Sequence, residues 1–108
     1  MEIVTITEEN FEAIIEENAI VFLDFWAPWC NPCLSFSKIF QMVAGERPEI
    51  LFGQVNIDEE SGLRKDFQIT SIPQLIVIKN GVAILSQSGL ISQNALKKLA
   101  AQALSVVV

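Results

Sequence analysis

A chain of 108 residues with 51% hydrophobic and 19% charged residues is long enough to bury one core, too short for two, and too apolar to be disordered. Seven basic against 13 acidic residues leave a net charge of −6, which repels phosphate backbones and anionic lipid, so neither nucleic acid nor a membrane surface is an expected partner. No apolar run reaches membrane-spanning length, because Ala19 to Leu23 meets Asp24 and Leu75 to Ile78 meets Lys79. The segment Met1 to Glu9 lacks the basic start, apolar stretch and small-residue cleavage site of a secretory signal. A cytoplasmic protein without a removed leader is the expectation.

In chain order, Ile3 to Ile6 reads as a short strand, and Thr7 as the cap of a helix carrying Phe11, Ile14 and Ile15 at helical spacing. Ala19 to Trp26 is a nearly unbroken apolar run of the kind found in a buried central strand. Strand, helix and strand together predict a right-handed parallel unit. After the turn from Trp29 to Cys33, Leu34 to Ala44 is a predicted helix with Phe36, Ile39, Phe40 and Val43 on one face, stopped by Gly45 and Pro48. Ile50 to Ile57 reads as a strand and Glu59 to Phe67 as a short helix. Leu75 to Lys79 and Val82 to Gln87 flank Asn80-Gly81, a strong hairpin signal. Ser92 caps a last amphipathic helix through Leu96, Leu99, Ala100 and Ala103. With no repeat or linker, the whole of 1–108 reads as one α/β domain, a mixed β-sheet with helices on both faces.

The chemistry centres on Cys30 and Cys33, the two cysteines of the chain. Placed three apart at a helix start, they share a face, with Cα atoms about 5 Å apart. That lies inside the ~4.4–6.8 Å window of a disulfide, so the pair can open and close with little backbone movement. Pro32 suits a first helical turn, where its missing N–H costs nothing. Free N–H groups and the positive dipole end lower the pKa of a thiol placed there, and Cys30 is the better candidate nucleophile. A static disulfide is the bland alternative, disfavoured by a reducing compartment. A zinc site needs four ligands, and with no histidine and no further cysteine only a dimer sharing metal would provide them. No metal is expected. Asp24 interrupts the central strand, and burial there raises a carboxyl pKa toward neutrality, which suits a proton acceptor in disulfide exchange. Alternatively Asp24 ends the strand and faces water. Ile72-Pro73 precedes an apolar strand; X-Pro bonds are cis in only about 5–6% of folded cases, so trans is the expectation from these residues alone. Trp26 is placed inside and Trp29 partly exposed.

These residues resemble the thioredoxin family over essentially the whole chain. The match runs through Val21-Phe22-Leu23-Asp24-Phe25-Trp26-Ala27-Pro28-Trp29-Cys30-Asn31-Pro32-Cys33, then Val55-Asn56-Ile57-Asp58, Ile72-Pro73, Lys79-Asn80-Gly81 and Gly89. The resemblance implies a thioredoxin fold and a dithiol reductase of protein disulfides. In it Cys30 attacks, Cys33 resolves, and Asp24 lies beneath Cys33 as proton acceptor. It also implies that Ile72-Pro73 is cis and forms a substrate groove with Trp29 and Gly89. The implied partners are disulfide-containing protein substrates and an NADPH-dependent flavoprotein thioredoxin reductase. The chain itself is expected to bind no cofactor and to act as a monomer. Several positions depart from the family pattern. Asn31 replaces the usual glycine between the cysteines and offers an amide to a sulfur. Leu34 and Gln54 stand where lysines are common, and Lys38 where a helix-kinking proline is common. Two other readings compete: an isomerase or oxidase of less reducing potential, and a binding or assembly module using this surface without turnover.

Overall fold

In the computed structural model, residues 3–108 are described. Five strands and four helices alternate along the chain: β1 (Val4–Thr5), α1 (Phe11–Glu17), β2 (Ile20–Trp26), α2 (Asn31–Glu46), β3 (Leu51–Asn56), α3 (Ser61–Asp66), β4 (Gln74–Lys79), β5 (Val82–Ser88) and α4 (Gln93–Ser105). The strands form one sheet in the order β1-β3-β2-β4-β5. The first three are parallel, while β4 runs antiparallel to β2 and β5 antiparallel to β4. The α/β expectation of a mixed sheet holds. The strands β1 and β2 are parallel as expected, but β3 lies between them, so they do not form a neighbouring pair.

Side-chain alternation along β2 explains the layers. Val21, Leu23 and Phe25 face one side, where Ile6, Ile57, Ile76 and Ile78 join them under Phe11, Ile14 and Ile15 of α1 and Leu63 of α3. Ile20 and Phe22 face the other, under Phe36, Phe40 and Val43 of α2 and Leu96, Ala100 and Ala103 of α4. Each layer has its own aromatic cluster. Phe40 sits edge-on to Phe52 at 5.0 Å between ring centroids, and Phe11 meets Phe67 at 5.7 Å. Both geometries are the favourable edge-to-face kind.

Local contacts set the element boundaries. Thr7 does cap the start of α1: Thr7 Oγ1 accepts from the Asn10 N–H, Asn10 Oδ1 accepts from the Thr7 N–H, and the Phe11 N–H donates to the Thr7 carbonyl, with regular helix following from Phe11. Helix α2 starts at Asn31, as the cysteine spacing and Pro32 imply and three residues before its apolar face opens at Leu34, and continues through Gly45 to Glu46. A side chain at Gly45 would meet open space. The stop comes instead from Pro48, which disfavours helical geometry at the residue before it; Arg47 leaves the helix at φ −131° and ψ 72°. Ser92 does cap α4, its side chain accepting from the Ala95 N–H at 3.1 Å. Asn80 and Gly81 turn the β4–β5 hairpin with positive φ at both positions, as a two-residue hairpin turn requires.

Candidate active site

The site is built where β2 ends and α2 begins. Cys30 is the N-cap of α2, and its sulfur takes the place of the oxygen that Ser, Thr, Asp or Asn supplies at a cap, accepting from the Cys33 backbone N–H at 3.2 Å. Pro32 occupies the first turn, where its missing N–H leaves no bond unmade. Cys30 and Cys33 are joined in a disulfide with Cα atoms 5.2 Å apart, inside the range the spacing predicts. Cys30 retains 7% exposure and Cys33 none, so Cys30 is the member of the pair with surface left to solvent. Asn31 is exposed, and with the disulfide closed the donor to the Cys30 sulfur is the Cys33 N–H.

Around Cys30, three segments converge. Its sulfur lies 4.0 Å from the Ile72 carbonyl oxygen. The Ile72–Pro73 bond is cis, as the family resemblance implies and against the trans expectation from the dipeptide alone. The Gly89 N–H, at a positive φ of 87°, donates to the Pro73 carbonyl at 2.8 Å. Gln74 braces this corner from below: its amide donates to Ser86 Oγ at 2.6 Å, and its carbonyl accepts from Ser88 Oγ at 2.7 Å. Trp29, 66% exposed, is held by its indole N–H donating to Asp58 Oδ2 at 2.8 Å. Trp26 is half-buried and packs against the α1/α3 layer. Gln74 escaped the sequence reading, because its role depends on a strand pairing that the chain order does not show.

Asp24 is fully buried, which removes the alternative of a strand end facing water. Burial pushes its carboxyl up from 3.8 to about 7, opposed by a hydrogen bond from Gln54. The Gln54 amide nitrogen donates to Asp24 Oδ2 at 2.9 Å and to Ser37 Oγ at 3.0 Å. Asp24 Oδ1 has no partner. With the disulfide closed, Asp24 is therefore bonded to neither sulfur, and its connection to α2 runs through Gln54 to Ser37. Ser37 stands one helical turn beyond Cys33, at the i+4 position on the same stripe. The register of β2 on β3, which pairs Asp24 with Gln54, creates this link. In the sequence this link shows only at Gln54, which stands where the family commonly has a lysine.

A thioredoxin family model matches residues 2–102. A putative thioredoxin 2 of Streptomyces coelicolor is 36% identical over 93% of this chain and 75% of its own length. A thioredoxin of Chlamydia pneumoniae is 38% identical over 79% of this chain and 82% of its own. Among solved structures, Plasmodium falciparum thioredoxin superposes with a TM-score of 0.86 at 31% identity, covering 93% of this chain and 98% of that one. The mixed sheet is the thioredoxin fold, and the cysteine pair at its helix start is the redox centre that goes with it. On sequence, fold and site together, this chain belongs to the thioredoxin family of protein disulfide oxidoreductases.

Proposed function

We propose that residues 1–108 act as one domain that reduces protein disulfides, with Cys30 attacking, Cys33 resolving and Asp24 moving the proton. One observation carries the assignment of roles: Cys30 is the cysteine with exposed surface, and its sulfur is the one seated on the helix N-terminus, receiving the Cys33 N–H. A thiolate there gains a hydrogen bond and the favourable end of the helix dipole, both of which lower its pKa. The Cys30 thiolate attacks one sulfur of a substrate disulfide, the S–S bond breaks, and the other substrate sulfur leaves as a thiolate. The Cys33 thiol then gives its proton to the Asp24 carboxylate and attacks the Cys30 sulfur. The second substrate sulfur departs and takes up a proton, two electrons have passed to the substrate, and the Cys30–Cys33 disulfide seen here remains. An acid with a pKa of about 7 can both accept and release that proton near neutral pH.

The proposed substrate groove is formed by the exposed Trp29 next to Cys30 in the chain, by Ile72, whose carbonyl lies 4.0 Å from the Cys30 sulfur, and by Pro73 and the exposed Gly89 bonded to it. The oxidised form is returned to the dithiol by an NADPH-dependent flavoprotein thioredoxin reductase, so the chain carries electrons between that enzyme and disulfide-containing proteins. The proposed setting is the cytoplasm, with the chain working as a monomer; among the described residues no helix is long and apolar enough to cross a membrane. Trapping tests the roles. Cys33→Ser accumulates mixed disulfides with substrate proteins on non-reducing gels, whereas Cys30→Ser accumulates few or none. Equal trapping by both variants would reject this assignment.

A further inference from the structure

We propose that Gln54, locked in place by Ser37, is a positioning residue that holds Asp24 by Oδ2 and leaves Oδ1 as the atom at which Asp24 gains and loses its proton. This deepens the reading of Asp24 given above and rests on it. The argument begins with the amide nitrogen, which has two hydrogens and spends both: one on Asp24 Oδ2 and one on Ser37 Oγ. A side-chain amide has no acidic proton to pass on near neutral pH, so this chain of hydrogen bonds is an anchor and not a proton wire. Oδ2 is held as an acceptor in both protonation states. The proton therefore sits on Oδ1, which is buried and bonded to nothing.

Ser37 makes the anchor directional. A free glutamine amide can rotate to offer its oxygen instead of its nitrogen, and that orientation would stabilise a protonated Oδ2. With Ser37 Oγ accepting the second amide hydrogen and the Asp24 carboxylate, which can only accept, taking the first, both partners face the donor side of the amide. The remaining surroundings of Asp24 are apolar or already committed. Leu75 faces it from β4. Lys38 on α2 is exposed, Glu46 pairs with Lys97 at 3.5 Å, and Lys79 is engaged by the carbonyls at the end of α4. The Cys30 and Cys33 thiols, present only in the reduced protein, are the remaining titratable groups at the site. No cation offsets the burial of Asp24, so the neutral Gln54 amide is the main favourable contact of its charged form.

The test uses the oxidised full-length protein, in which no thiol titrates, and follows the Asp24 carboxyl carbon by NMR across pH. Gln54→Met, of similar volume but without the donor, should raise the Asp24 midpoint by roughly one to two pH units, a ten- to hundredfold fall in the ratio of ionised to protonated Asp24 at a given pH. Gln54→Lys returns a donor with a charge and should move the midpoint below that of the wild type. Ser37→Ala keeps the bond to Asp24 but frees the amide, and should raise the midpoint by less than Gln54→Met does. In the wild type, the Gln54 side-chain amide protons should shift along the Asp24 titration curve. Amide protons that ignore that titration overturn the proposal, as does a Gln54→Met or Ser37→Ala protein whose Asp24 titrates like the wild type. The direct titration separates this proposal from the catalytic reading, which fails instead if Asp24→Asn leaves the rate of disulfide exchange unchanged.

Discussion

Asp24 sits in the middle of a strand whose neighbours are all apolar, and its cost to the fold changes with pH. Its carboxyl titrates at 3.8 when unfolded and at about 7 in the native protein, because burial disfavours the charge more than the Gln54 hydrogen bond favours it. Below the first value both states are protonated and Asp24 costs nothing on this account. Between the two values only the unfolded chain ionises, so stability falls as pH rises; above about 7 the full cost stands, on the order of 4 kcal/mol. Asp24→Asn keeps an oxygen for Gln54 and removes the charge. It should be more stable than the wild type by a few kcal/mol in urea melts above neutral pH, and no more stable below the unfolded carboxylate range, while its disulfide exchange slows. A variant equally stable at all pH values would mean that Asp24 is not buried as a charge. Asp24 was visible in the sequence because it breaks an apolar run. Gln54 was visible only as a substitution, since its task depends on a strand register and on a serine from α2 that the chain order keeps apart.

At the scale of elements, long apolar patterns located every strand and helix, and local hydrogen bonding set the ends. The apolar face of α2 begins only at Leu34, but the cysteine spacing and Pro32 put the helix start at the cysteines, where the structure has it; the cap itself is a cysteine sulfur, and it places the reactive atom on the helix end. Short pairing is harder to foresee. Strand β1 has two residues, and its place beside β3 depends on close approach: a Cβ on Gly53, which pairs with Val4, would lie 2.5 Å from Ile6 Cγ1. Ile6 is fully buried and cannot swing away. Gly53→Ala should therefore cost about 1–3 kcal/mol through overpacking, read as a lower urea midpoint with an unchanged slope. Wild-type stability in that variant would show that β1 yields at little cost.

Across the whole molecule, the chemistry and one of its fastenings lie at opposite ends of the same strand. Strand β4 starts at Gln74, beside cis-Pro73 and the cysteines, and ends at Lys79, which pairs with Ile20 at the far end of β2. Six residues of strand separate these ends by about 20 Å. At the far end, the Lys79 ammonium donates to the carbonyl oxygens of Ala103, Leu104 and Val106, matching its three hydrogens to three acceptors left open where α4 finishes. A cation is favoured at a helix C-terminus, and here it also ties α4 to the sheet beneath. Lys79→Met keeps most of the side-chain volume and removes the charge. Because Lys79 is only half-buried, the loss should be about 1–2 kcal/mol, less than a fully dry charged hydrogen-bond set would give. That corresponds to a fall in melting temperature of roughly 4–10 °C. The reduction potential of Cys30–Cys33 should not change, because a charge about 20 Å away is screened over a Debye length of about 8 Å at physiological salt. Calorimetry and equilibration with a glutathione couple measure the two quantities separately. A shifted potential with unchanged melting would mean that Lys79 acts on the thiols through the sheet rather than by fastening α4.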